Sequence, residues 1–224
     1  TAQLRQTGDA PTSYTDAMTV ASTGRRTFFH QRGANALIGD SHLDFTKTKA
    51  RLFYLGFLML LDAMDEFAAP GRTRASLALQ KAQAAGFATA VDMVSTENAQ
   101  FRDIAESALP FTDYLIVNEI EAGKVVALEL KTPGGTDARA CVEAAKRLLA
   151  RGVRKQVVIH FTEGAVVADG DGSVAMLGSL KLPDGFIAGA TGAGDAFAAG
   201  YLHGVHEGWE TARSLKLAVC ADAA

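Results

Sequence analysis

The 224 residues carry 48% hydrophobic and 21% charged side chains, the balance of an ordinary globular chain that buries a core without metal or disulfide staples. A net charge of −3 gives no basic footprint for nucleic acid, and the apolar run Leu52–Leu61 is too short to span a membrane, so neither is an expected partner. Cys141 and Cys220 stand apart in helix-like segments, give no metal-ligand spacing, and point to a reducing, cytoplasmic setting.

In chain order, two β-like runs come first, Tyr14–Ala21 and Arg26–Gln31, joined by Ser22–Arg25 with Gly24 as the turn residue. The character then changes. Arg51–Leu55 reads as a strand, Thr73–Ala85 as a helix, Phe87–Asp92 as a strand and Ala99–Leu109 as a helix. Tyr114–Val117 is a short apolar strand ending at Asn118. In Thr136–Arg151 the apolar residues Cys141, Ala145 and Leu148 recur at helical spacing, and Gly152 reads as the stop. Gln156–Phe161 is a buried-type strand, and Ala165–Ala168 and Val174–Leu180 flank an Asp169–Gly172 turn. A helix over Gly194–Val205 is entered through a glycine-rich loop, and Trp209–Ala224 continues as helix. Both chain ends read as unfinished, the first in a polar stretch and the last inside a helix without a stop signal.

Strands alternating with helices predict a mainly parallel sheet covered on both faces. Ligands gather beyond the carboxyl ends of such strands, where Asp92, Asn118 and the stretch around Thr162 fall. The early hairpin lies outside the alternation and is expected to form a small separate sheet that acts as a lid.

The segment with chemistry is Thr191-Gly-Ala-Gly-Asp195, followed by the small-residue helix start Ala196-Phe-Ala-Ala-Gly. Glycine lets backbone approach a ligand closely, and the free amides at a helix N-terminus favour an anion. A transferring phosphoryl group suits such a place, and Asp195 at its mouth suits a general base. Taken alone, the same residues equally make a tight turn with a favourable carboxylate in the first helical turn. The Gly-x-x-x-x-Gly-Lys-Ser/Thr motif is absent, since Val125 follows Gly123-Lys124, and Phe197 stands where a dinucleotide motif needs its third glycine.

With Thr191-Gly-Ala-Gly-Asp-Ala-Phe197, Asn118-Glu-Ile-Glu121, Val157-Val-Ile-His-Phe-Thr-Glu-Gly-Ala165 and Arg26-Thr-Phe-Phe-His-Gln-Arg-Gly-Ala-Asn35 in this order, the sequence resembles the ribokinase-like (PfkB) family of carbohydrate kinases. The resemblance implies an α/β three-layer sandwich with a mainly parallel central sheet and a small β lid. It places the lid region in residues 1–40 and the nucleotide- and substrate-binding core in 41–224. It further implies transfer of the ATP γ-phosphate to a sugar hydroxyl, with Asp195 as base and the amides of Gly192, Ala193 and Gly194 as the anion hole. Asn118, Thr162, Gly164 and Thr191 would lie at the nucleotide, and Glu121 would organise Mg²⁺ through water. Phe29, Gln31, Asn35 and Asp92 are candidates for the acceptor. Packing of Phe28 or Phe29 into the lid, and a capping role for Asp92, are the alternatives. His160 is read as structural, and His203 and His206 as surface residues.

Three departures stand against the family pattern: Gly189 where an aspartate is usual, no early Gly-Gly-x-x-x-Asn region, and no segment beyond Ala224 to border adenine. Other readings remain at this point: a nucleoside or vitamin kinase of the same fold, a non-catalytic sugar- or nucleotide-binding protein, and, more weakly, a dinucleotide-dependent oxidoreductase. Open strand edges on the lid predict a homodimer.

Overall fold

The structure is a computed structural model that describes residues 4–20, 26–183 and 191–223. Strands β1 (Tyr14–Thr19) and β2 (Arg26–Gln31) pair antiparallel as a sheet of their own, with Tyr14 opposite Gln31 and Thr19 opposite Arg26. The expected turn at Ser22–Arg25, and Ala21 before it, lie outside the described residues. Short 3-10 turns then lead to β3 (Leu52–Leu58), which runs three residues further than the sequence suggested.

Next come α1 (Asp62–Asp65) and a small hairpin, β4 (Phe67–Ala69) with β5 (Arg72–Thr73). Helix α2 (Arg74–Ala84) starts where Thr73 caps it, the threonine hydroxyl accepting from Ser76 N at 3.2 Å. Strand β6 (Ala88–Met93), helix α3 (Phe101–Ala108) and strand β7 (Tyr114–Asn118) follow. Helix α4 (Glu119–Val126) begins directly at the end of β7, with no connecting loop. A second small hairpin, β8 (Lys131–Thr132) with β9 (Gly135–Thr136), precedes α5 (Ala138–Ala150). The α5 start is fixed by Asp137, whose carboxylate accepts from Arg139 N and Ala140 N, and Gly152 follows its end at φ +118°. The chain closes with β10 (Gln156–Phe161), β11 (Gly164–Asp169), β12 (Val174–Gly178), α6 (Ala193–His206) and α7 (Thr211–Asp222).

The central sheet has the order β12-β11-β10-β7-β6-β3. From β3 to β10 its pairings are parallel, and β11 and β12 are added antiparallel as a meander. Alternation along each strand sorts side chains onto two cores. Leu115, Val117, Val157 and Ile159 face one cluster with residues of α2, α3, α4 and α5. Ile116 and Val158 face the other, with Phe197, Ala198 and Tyr201 of α6 and Leu215 and Ala218 of α7. Helices therefore cover both faces, giving the expected three-layer α/β sandwich, with β1 and β2, the expected lid strands, as a separate two-stranded sheet. Cys141 is buried in α5 and Cys220 exposed on α7, both in helix as expected. Among the described residues no helix is long and apolar enough to cross a membrane.

Candidate active site

The parallel strands all deliver their carboxyl ends to one edge of the sheet, so Asp92 (β6) and Asn118 (β7) share that edge with the β10–β11 turn. The glycine loop leads into α6 on the second face. Gly192 is the N-cap at φ +84°, a left-handed conformation in which a side chain is strained. The first intrahelical bond runs from Ala196 N to Gly192 O at 2.9 Å. Gly192, Ala193 and Gly194, the expected anion-hole residues, stand at the N-cap and the first two positions of this helix, ahead of that bond. Thr191 and Gly192 are exposed in the turn, and the Asp195 side chain is exposed in the same first turn as the amides.

His160 supports this turn from below. Its ring stacks on Phe197 at 5.0 Å between centroids, and a Cβ on Gly194 would stand 3.3 Å from its Cε1. Enclosure lowers the imidazole pKa to about 4, so the ring is neutral at physiological pH and packs as an uncharged plate. The structural reading of His160 holds. His203 and His206 are exposed, one edge-on to Trp209 and the other beside Glu207 and Arg51.

Asn118 and Glu121 are joined in a capping box at the β7–α4 junction. The Asn118 side-chain oxygen accepts from Ile120 N and Glu121 N, both at 2.9 Å, and Glu121 Oε2 accepts from Asn118 N at 3.0 Å. Ser95 ties the pair together: its hydroxyl donates to Glu121 Oε1 at 2.7 Å and accepts from Asn118 Nδ2 at 2.9 Å. Glu121 is only 3% exposed, and burial raises its pKa above the usual carboxylate value despite these donors.

Asp92 is also buried, with Oδ1 accepting from Met93 N at 2.7 Å and Oδ2 accepting from the Tyr54 hydroxyl at 3.1 Å. Burial first, and then the negative charges of Glu121 and Asp195, push its pKa up to about 8. The same three carboxyls, with burial foremost, raise the Tyr54 hydroxyl far above its ordinary value. Asp92, Glu121, Asp195 and Tyr54 therefore share one electrostatic field. Ser95 and Tyr54 escaped the sequence reading, because each meets its partner across strands rather than through a local motif.

The other candidates are less gathered. Thr162 is exposed in the tight β10–β11 turn. Gly164 is buried beside β12, where a Cβ would lie 2.3 Å from Leu177 O, so the strand pairing itself demands glycine there. Phe29 and Gln31 lie on one face of the lid, opposite Asp16 and Tyr14, and Asn35 sits in the 3-10 turn Gly33–Leu37. Among the described residues no hydrogen bond links Phe29, Gln31 or Asn35 to Asp92, Glu121 or Asp195. The departure at Gly189 lies outside the described residues.

Among the described residues no set of three or more His, Cys, Asp or Glu side chains converges as a metal cage. Both Glu121 oxygens already accept protein hydrogen bonds. This arrangement fits Mg²⁺ held through water and by nucleotide phosphates, the ion's usual mode, rather than by an all-protein site.

Several solved structures share the fold. Anopheles gambiae adenosine kinase has a TM-score of 0.77 at 19% identity, over 97% of this chain and 63% of its own. A probable sugar kinase protein from Rhizobium etli has a TM-score of 0.76 at 20% identity, over 98% and 62% of the two chains. Arabidopsis thaliana ribokinase complexed with ribose and ATP has a TM-score of 0.71 at 19% identity, over 96% and 63%. The chain thus spans just over 60% of the length of these structures. None of the curated proteins matches the sequence. The sequence profile described as "pfkB family carbohydrate kinase" matches residues 1–224, and the chain belongs to that family.

Proposed function

We propose that this protein transfers the γ-phosphoryl group of ATP to a hydroxyl of a sugar or a nucleoside. The observation that carries the reading is the start of α6, where a left-handed glycine N-cap, the backbone amides of a helix N-terminus and an exposed aspartate occupy one helical turn. Asp195 takes the proton of the acceptor hydroxyl, whose oxygen attacks the γ-phosphorus. The bond to the β-phosphate oxygen breaks, ADP leaves, and the proton passes from Asp195 to solvent. The amides of Gly192, Ala193 and Gly194 lower the energy of the charge that develops on the phosphoryl oxygens. Catalysis is then positioning and electrostatics, with no covalent enzyme intermediate.

Thr191, Asn118, Thr162 and Gly164 border the nucleotide in this proposal, and Glu121 orients water around Mg²⁺. When bound with the nucleotide, the ion neutralises charge on the phosphates. Asp92, Phe29, Gln31 and Asn35 serve the acceptor, the last three once the lid region (residues 1–40) folds over the core (41–224). The open strand edges of the lid, with Phe28 exposed on the face opposite Phe29, favour a homodimer through the lid. The protein is proposed to act in the cytoplasm.

The similar structures include adenosine kinases, a probable sugar kinase and a ribokinase, so both acceptor classes belong in the test. Full-length protein with radiolabelled ATP is to be offered ribose, fructose, adenosine, inosine and pyridoxal. Transfer to a sugar or nucleoside is expected. Transfer to pyridoxal alone would identify a vitamin kinase. Ligand binding by calorimetry with no transfer at all would identify a binding protein that kept the scaffold.

A further inference from the structure

The Tyr54 hydroxyl reaches from β3 across to β6 and donates to Asp92 Oδ2 at 3.1 Å, while Met93 N holds Oδ1 at 2.7 Å. The carboxyl is thereby held at both oxygens, and its plane cannot turn without breaking one bond. Asp92 is 6% exposed, whereas Tyr54 is 36% exposed, so the ring is the solvent-facing member of the pair. Gly56 makes room for it: a Cβ there would stand 2.8–2.9 Å from Tyr54 Cε1, Cζ and the hydroxyl oxygen. A larger residue at 56 would push the ring off Asp92.

A buried carboxyl of this kind costs stability, and an apolar side chain of similar size would fold as well or better. Asp92 stands near the carboxyl end of β6, on the sheet edge it shares with Asn118 and the β10–β11 turn, where parallel sheets of this kind meet their ligands. We propose that Tyr54 is a positioning residue for the acceptor substrate, its hydroxyl locking the Asp92 carboxyl in the orientation that receives an acceptor hydroxyl beside Asp195. This rests on the kinase reading above. Tyr54 acts through Asp92 and takes no proton from the substrate.

The test is steady-state kinetics of full-length wild type, Tyr54→Phe and Gly56→Ala, with whichever of ribose, fructose, adenosine or inosine the wild type phosphorylates best. Loss of one hydrogen bond to a carboxyl that orients the acceptor is expected to raise acceptor KM about tenfold. The kcat should stay within about threefold and the KM for ATP should not move. Gly56→Ala keeps the hydroxyl but displaces the ring, and should give the same split. A role confined to folding would move Tm without separating the two KM values. Unchanged acceptor KM in both variants overturns the proposal, as does a loss of folding in both. If Tyr54→Phe alone fails to fold, Gly56→Ala decides. The proposal fails alone when Asp195→Asn is inactive but the Tyr54 and Gly56 variants match wild type. It fails together with the kinase reading when wild type phosphorylates none of the four compounds.

Discussion

Replacing Asp92 with Asn should make the protein more resistant to unfolding, and increasingly so as pH rises. The Asp92 carboxyl titrates at about 8 in the fold against an ordinary value of 3.8, chiefly because it is buried and then because Glu121 is negative. Between these two values the folded state holds a proton that the unfolded chain has released. Stability of the wild type therefore falls as pH rises through this window and levels off above pH 8. At about 1.4 kcal/mol per pKa unit, the wild-type penalty at pH 9 exceeds that at pH 5 by at most roughly 4 kcal/mol. Relaxation and water entry around a buried carboxylate reduce that ceiling, and about 2 kcal/mol is expected. Asn keeps the shape and can still accept from Tyr54 or Met93, but carries no charge. Urea unfolding of both proteins at pH 5 and pH 9 measures the difference. Parallel behaviour of the two proteins, with the stability gap unchanged between these pH values, would refute the buried, field-raised carboxyl.

Ser95→Ala leaves Glu121 Oε1 and Asn118 Nδ2 without their shared partner, and should cost about 1–3 kcal/mol in thermal or urea unfolding. The same variant should weaken magnesium-nucleotide binding in calorimetry while leaving acceptor binding intact. Gly164→Ala places a methyl 2.3 Å from Leu177 O and must open the β11–β12 pairing, so a loss of about 3 kcal/mol or more in unfolding experiments is expected. Asn118→Ala removes a helix cap and should destabilise by about 1 kcal/mol, read by the same unfolding curves.

The long elements were legible because their signals are local. Helix α5 carries its apolar face, its Asp137 cap and its Gly152 stop within one stretch of sequence, and β2 and β10 were read to the residue. The hairpins β4–β5 and β8–β9 have strands of two or three residues, too short for a period to show. Helix α4 has a local signal too, since Asn118-Glu-Ile-Glu121 is a capping-box pattern, but the helix runs only from Glu119 to Val126, too short for its period to stand out. At the candidate site, Asp195, Asn118 and Glu121 stood out through motifs. Tyr54 and Ser95 did not, because Tyr54 and Asp92 are 38 positions apart and Ser95 and Glu121 are 26 apart, and only strand order brings them together. The steric demand on Gly164 was hidden for the same reason: it is set by a neighbouring strand.

The central claim is that the start of α6 is a phosphoryl-transfer site with Asp195 as its base. Single-turnover transfer from radiolabelled ATP by full-length wild type and Asp195→Asn, with ATP affinity measured in parallel by calorimetry, tests it most directly. Removing a general base is expected to lower the transfer rate by roughly 10²–10⁴-fold while ATP affinity stays within about threefold. Transfer by Asp195→Asn at a rate near that of wild type would contradict the account.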